Sequence, residues 1–243
     1  MTFKIIKFRK SNERFISRKE WLQSMHSFSF GNYSNSDWDN FGKIRVINED
    51  IISPKSGFGY HSHLNMEIIT FVIKGAISHR DSLNNFERIN ENEIQIISAG
   101  DGISHSEKNE ENKICKLFQV WIYPNKKNIK PSYKKISLKN TFGDNLIIDS
   151  SEITNNKLFI NQDILIWRCK YNSMKEKQLP YEIKKINWLQ IIEGNLLLIS
   201  KDNKRSIYLS SGDGLGFEIS NYEDVLIKNE EAVDFLIFSM PSL

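Results

Sequence analysis

Short apolar, β-favouring runs recur along the chain at Lys43–Asn48, Glu67–Ile73, Ile94–Ser98, Cys115–Tyr123, Ile164–Cys169, Trp188–Ile192, Leu196–Ser200 and Phe235–Met240. Gly, Asn and Asp punctuate them, proline is scarce and a sustained 3.6-residue period is hard to find. Many short strands separated by turn residues predict an all-β protein built as a sandwich or barrel. One short helix is predicted at Ser17–Met25, with Ser17 capping Arg18-Lys19-Glu20-Trp21.

The pattern also repeats. Ile68-Ile69-Thr70-Phe71-Val72-Ile73-Lys74-Gly75 is echoed by Asn187-Trp188-Leu189-Gln190-Ile191-Ile192-Glu193-Gly194, and Ser98-Ala99-Gly100-Asp101-Gly102-Ile103 by Ser210-Ser211-Gly212-Asp213-Gly214-Leu215. Self-similarity at this distance predicts two barrels of one design. The expected partition is an N-terminal barrel over residues 1–124 and, over residues 125–243, a linker from Pro124 to about Leu138 followed by a second barrel.

Two polar pairs interrupt the apolar pattern about forty residues apart, His61-Ser62-His63 and His105-Ser106-Glu107. Side chains at i and i+2 of a strand share a face, so as strands of one barrel these segments converge three imidazoles and a carboxylate on its interior. That donor set suits a divalent first-row ion, whereas calcium and magnesium prefer all-oxygen shells. The competing reading is a set of hydrogen-bonded barrel histidines, or a site that has lost its metal. Ungapped alignment of the repeats on Gly75/Gly194 and Gly100/Gly212 places Pro180 and Glu182 opposite His61 and His63, and Phe217 and Ile219 opposite His105 and Glu107. The second barrel is therefore expected to be metal-free. Gly100-Asp101-Gly102 reads as a tight turn that sets where His105 enters the barrel.

Composition narrows the class further. At 243 residues the chain can bury a core without staples, and its two cysteines, Cys115 and Cys169, give no disulfide framework. The N-terminal segment MTFKIIKFRKSNERF has no apolar core for a leader, and no run approaches the length of a membrane span. A cytoplasmic location with no membrane partner is expected. The formal charge of +3 is spread over lysine- and asparagine-rich loops rather than a basic stripe, so no nucleic-acid partner is expected.

Trp21-Leu22, His26-Ser27-Phe28-Ser29-Phe30, Arg45-Val46-Ile47-Asn48, Gly57-Phe58-Gly59-Tyr60-His61-Ser62-His63, Met66-Glu67-Ile68-Ile69-Thr70, His79-Arg80-Asp81-Ser82 and Ser98-Ala99-Gly100-Asp101-Gly102-Ile103-Ser104-His105-Ser106-Glu107 closely resemble the pirin family of the cupin superfamily. The C-terminal half resembles the short bacterial branch, whose members are similar to quercetin 2,3-dioxygenases. The resemblance implies a bicupin, two jelly-roll β-barrels, with one divalent metal in the first at His61, His63, His105 and Glu107. Fe(II) comes first, with Mn, Ni, Co, Cu or Zn as alternatives. Active members open the heterocyclic ring of a flavonol with O2 and release carbon monoxide; eukaryotic relatives are nuclear regulators that bind transcription factors. Lys55, Asn84 and Glu91-Asn92-Glu93 stand where the family pattern has turn glycines or Gly-Asp, and Ile96-Ile97 replaces Arg-Met, which removes a charge near the site.

Three functions follow as expectations: a quercetinase-type dioxygenase taking a small flavonol-like aromatic and O2, a metal- or redox-sensing regulator with a protein partner, and a cupin whose metal only stabilises the fold. The intact ligand set favours the first two, and the lack of a nuclear-targeting cluster favours the enzyme. In the enzyme reading Glu107 is both ligand and general base. Glu67, four residues after His63, is expected behind a ligand imidazole, against a strand-end carboxylate in a salt bridge, and His26, in its aromatic run, is expected in the core or behind a ligand. His79 and Asp81 read as a capped turn, with a site role as the alternative. Phe58, Phe71, Phe118 and Trp121 are candidates for the pocket wall, against a plain core role.

Overall fold

A computed structural model of the chain describes residues 3–138, 142–149, 160–180, 185–202 and 204–241. Among these residues there is no α-helix, only single 3-10 turns at Ser11–Glu13, Ser36–Trp38 and Tyr222–Asp224. All eight apolar runs lie in strands. The strands divide between two compact units, the first formed by Arg14–Lys139 with Ile160–Gln162, the second by Met1–Glu13, Asn140–Phe159 and Asp163–Leu243.

The chain opens with β1 (Phe3–Arg9), which belongs to the second unit. The first unit then runs through β2 (Phe15–Lys19), β3 (Leu22–His26), β4 (Ile44–Ile52), β5 (Ser56–His63), β6 (Glu67–Lys74), β7 (Ala76–Asp81), β8 (Phe86–Asn90), β9 (Glu93–Ser98), β10 (Ile103–Asn109), β11 (Cys115–Ile122) and β12 (Ser132–Ser137). They form a seven-stranded sheet in the order β12-β9-β6-β11-β4-β3-β2 and a four-stranded sheet in the order β5-β10-β7-β8, antiparallel throughout. Leu22, Ile52, Val72, Cys115 and Leu117 of the larger sheet pack on Ile77 and Ile89 of the smaller, so the jelly roll is two sheets on a shared core rather than one hydrogen-bonded closed barrel.

The second unit repeats this plan with β13 (Gly143–Asp149), β14 (Leu165–Tyr171), β15 (Met174–Gln178), β16 (Ile186–Glu193), β17 (Asn195–Ser200), β18 (Ser206–Ser210), β19 (Gly214–Ile219), β20 (Val225–Asn229) and β21 (Val233–Met240). Its sheets run β1-β19-β16-β21-β14-β13 and β15-β20-β17-β18. The internal repeat is physical. Gly75 and Gly194 both turn at positive φ, 79° and 85°. A Cβ on Gly75 would lie 2.7 Å from the Ile114 carbonyl oxygen, and one on Gly194 would strike that of Ala232. Phe217 and Ile219, in place of His105 and Glu107, are buried in an apolar cluster with Leu189, Leu215 and Phe235. Pro180 is buried, and Glu182 lies outside the described residues.

Three expectations change. The helix at Ser17–Met25 is instead the hairpin β2–β3, in which Ser17 pairs with Ser24 and Phe15 with His26. The residues follow period two: Phe15, Ser17 and Lys19, then Leu22, Ser24 and His26, all face one cavity. The stretch after Pro124 is not all linker, because β12 adds to β9 with Ser132 opposite Ser98 and Ser137 opposite Glu93. Finally, the compact units do not divide as 1–124 and 125–243, since β1 pairs with β19, Phe3 opposite Ile219.

Candidate metal centre

The register of the small sheet assembles the centre. His61 on β5 lies directly opposite His105 on β10, and His63 is opposite Ile103. Beyond His105 the register slips, so that Glu107 faces Phe58. Gly57 permits this, since a Cβ there would collide with the backbone of Glu107 and Lys108. The Gly100-Asp101-Gly102 turn starts β10, with φ of 50° at Gly100 and Gly102 N–H donating to Ala99 at 2.9 Å.

The three imidazoles meet. Their ring centroids lie 4.5–4.9 Å apart, and candidate ligand atoms of all three fall within 4.8 Å of one another. The Nε2 atoms of His63 and His105 are 3.0 Å apart. Adjacent ligand atoms on a first-row ion with bonds of about 2.1 Å have about this separation. Burial first, then the neighbouring imidazole charges, push His63 down to about 4. Burial does the same to His105, also about 4, against the opposing charge of Glu107. Both rings are therefore neutral at neutral pH, the form that ligates.

Hydrogen bonds behind the rings set the tautomers. His61 Nδ1 lies 2.8 Å from the Gly59 carbonyl oxygen, so it carries the proton and Nε2 keeps its lone pair. A chain missed as such in the sequence backs His105: its Nδ1 lies 3.4 Å from His79 Nδ1, and His79 Nε2 lies 2.9 Å from Asp81 Oδ2. With Asp81 accepting from His79 and His79 from His105, the lone pair of His105 Nε2 faces the cluster. Asp81 also accepts from the backbone N–H groups of Leu83 and Asn85, so the capped turn and the site role coexist. Tyr133 of β12 stacks on His79 at 4.5 Å.

Glu107 sits at the centre's edge. It groups with His79 and His105 within 4.8 Å, not with His61 and His63. Its Oε1 accepts from Gln95 at 2.5 Å and its Oε2 from Gln119 at 2.8 Å, and Gln119 in turn accepts from Trp121 Nε1 at 3.0 Å. Glu67 is buried, but its partner is Ser98 Oγ at 2.6 Å rather than an imidazole; burial raises its pKa, offset by Ser98 and the Asn161 backbone. His26 is clamped between Asn48 Oδ1 and Ser17 Oγ, both at 2.7 Å, and stacks on Phe30. Burial lowers its pKa.

His61, His63 and Glu107 open onto a cavity of about 470 Å³. That volume falls within the range of about 300–1,000 Å³ of small-molecule sites. Phe15, Phe30, Phe58 and Trp121 supply aromatic walls, and Ser24, His26, Asn48, Asp50 and Gln119 a polar row. Of the aromatics expected there, Phe58 and Trp121 are present, whereas Phe71 and Phe118 are core residues at 0% exposure. Asp50 was not foreseen. Its signal was a pair of polar residues, Asn48 and Asp50, at alternate positions of the apolar strand β4. A donor set of three imidazoles beside a carboxylate fits a divalent transition metal.

Comparison with known proteins agrees with this architecture. The Pirin family model matches residues 8–122, and the model for the quercetinase C-terminal cupin domain matches residues 147–240. A quercetin 2,3-dioxygenase of Escherichia coli strain K12 is 34% identical over 240 residues, covering 98% of this chain and 99% of the relative. The crystal structure of YhhW from Escherichia coli superposes with a TM-score of 0.88 at 31% identity, covering 98% of each chain. The structure of bacterial pirin YhhW in complex with nickel(II) gives 0.87 at 31% identity, covering 98% of this chain and 99% of that one.

Proposed function

This chain belongs to the pirin family, and from that premise we propose that it is a metal-dependent dioxygenase of quercetinase type, opening a flavonol ring with O2 and releasing carbon monoxide in the cytoplasm. The observation that carries the reading is the meeting of three imidazoles at an aromatic-walled cavity of about 470 Å³. The quercetin dioxygenase relative and the nickel-bound pirin structure support it.

His61, His63, His105 and Glu107 would hold one divalent ion, Fe(II) or a neighbouring first-row metal. When bound, the ion supplies Lewis acidity that lowers the pKa of a coordinated hydroxyl and supports O2 chemistry. The rest is done by the chain. Phe15, Phe30, Phe58 and Trp121 accept a planar aromatic and exclude water. Trp121 stands edge-on to His63 at 4.9 Å and fixes that ring. Gln95 and Gln119 orient the Glu107 carboxylate.

The test is O2 uptake and carbon monoxide release on adding quercetin to protein loaded in turn with iron, manganese, nickel, cobalt and copper. Turnover with at least one metal is expected, and its loss in His61→Ala. Tight metal binding with no O2 uptake on any flavonol would overturn the reading.

A further inference from the structure

Strand β4 carries two adjacent buried acids with opposite fates. Glu49, 6% exposed, is neutralised by Arg14 at 2.7 Å and Lys116 at 2.8 Å. Asp50, 3% exposed, faces the other side of the strand and lines the cavity beside Ser24, Asn48 and Glu107. No cation pairs with it among the described residues, and its one side-chain hydrogen bond is to Oδ1 from the Ser24 hydroxyl. Oδ2 makes no hydrogen bond, yet it is not among the sealed, unpaired polar atoms of the interior, so it opens to the cavity. A carboxylate left without a cation at a cleft is a functional-site signature.

Glu107 differs in this respect. Both of its oxygens already accept amide hydrogens from Gln95 and Gln119, so taking a proton there means breaking one of those bonds. We propose that Asp50 is the proton acceptor of this cavity, its free Oδ2 receiving the proton of a phenolic hydroxyl on the bound flavonol. The substrate O–H bond breaks, the proton goes to Asp50, and the electron pair stays on the substrate oxygen as its phenolate. The assignment rests on the quercetinase reading for its substrate and leaves Glu107 to the metal.

The surroundings suit a proton acceptor near neutrality. Burial lifts Asp50 to about 7, the Ser24 hydroxyl opposes the rise, and the charges of Glu107 and Glu49 reinforce it. From β3 it faces Ser24, from β10 Glu107, and on β11 its register partner is Leu117, with the Cys115 thiol nearby pushed up to about 12 by burial and these carboxylates. General bases work best with a pKa close to the working pH.

The experiment compares wild type, Asp50→Asn and Ser24→Ala, each metal-loaded, by O2 uptake with quercetin across pH 5–9, with metal content and anaerobic quercetin binding measured on the same samples. In Asp50→Asn, kcat is expected to fall at least about tenfold and the acid limb of the pH profile to vanish, while metal content and anaerobic binding hold. In Ser24→Ala, where Asp50 loses the bond that favours its charged form, the acid limb moves to higher pH. Wild-type turnover matched by Asp50→Asn, or an acid limb unmoved in Ser24→Ala, overturns the Asp50 assignment alone. Wild type without O2 uptake overturns it together with the function it rests on.

Discussion

Asp81, His79 and His105 form a chain in which each member fixes the proton of the next, and that chain sets how the His105 ring is presented to the cluster. Groups that orient a ligand from behind typically alter metal affinity about 10–100-fold. His79→Phe keeps the buried ring and its stacking on Tyr133 but loses the acceptor, so chelator competition should show metal affinity reduced by about that factor in protein whose circular dichroism is unchanged. An affinity equal to wild type would leave His79 a core residue. Asp50 makes a second prediction, on stability. Its folded pKa of about 7 lies above the ordinary carboxylate value, so native Asp50 holds its proton where the unfolded chain has lost it. That contribution is full below about pH 4 and is lost as pH rises toward 7. Metal-free Asp50→Asn should therefore melt above wild type at pH 8, with the gap narrowing at pH 5; a gap that widens toward acid would contradict the burial assigned to Asp50. The meeting of His61, His63 and His105 was legible because i, i+2 spacing maps directly onto one strand face. The link from His79 to His105, and the place of Asp50, were not, because the partners lie 26 residues apart in each case and only the sheet register joins them.

At the scale of elements, the site depends on how closely β5 approaches β10. Gly57 sits opposite Lys108 with no room for a Cβ against the Glu107 backbone. Gly57→Ala should cost about 2 kcal/mol or more in denaturant unfolding, with metal affinity falling alongside as the His61–His105 register loosens. Unchanged stability would mean the strands part without consequence. The turns foreseen as departures from the family pattern are real left-handed positions, with φ of 56° at Lys55, 67° at Asn84 and 63° at Asn92. Asparagine tolerates that region at less cost than lysine. Lys55→Gly should stabilise by about 0.5–1 kcal/mol, read from the denaturant midpoint. Apolar strands were legible from their runs. The hairpin β2–β3 was misread because Ser17 and Arg18-Lys19-Glu20 imitate a helix start, although Leu22, Ser24 and His26 alternate as a strand. Strand β12 was hidden by the lysines of an edge strand, where charge guards against further pairing.

Over the whole chain, one plan is used twice with opposite interiors. The glycine punctuation is kept in both units, which is why the repeat could be read before any coordinates. In the first unit His61, His63 and Glu107 open onto an aromatic-walled cavity, and in the second Phe217 and Ile219, at the positions of His105 and Glu107, are packed into core. The ends of the units were not legible, since β1 pairs with β19 over two hundred residues away and no local pattern announces such a pairing. Among the described residues, both groups of side chains able to hold a metal lie in the first unit, and no helix is long and apolar enough to cross a membrane. One metal per chain is therefore the proposed stoichiometry, held by His61, His63 and His105 with Glu107. Elemental analysis of purified wild type beside His61→Ala and His105→Ala tests this most directly. It should return about one transition metal per wild-type chain and close to none in either variant of native fold; two metals per chain, or one that survives both substitutions, would contradict it.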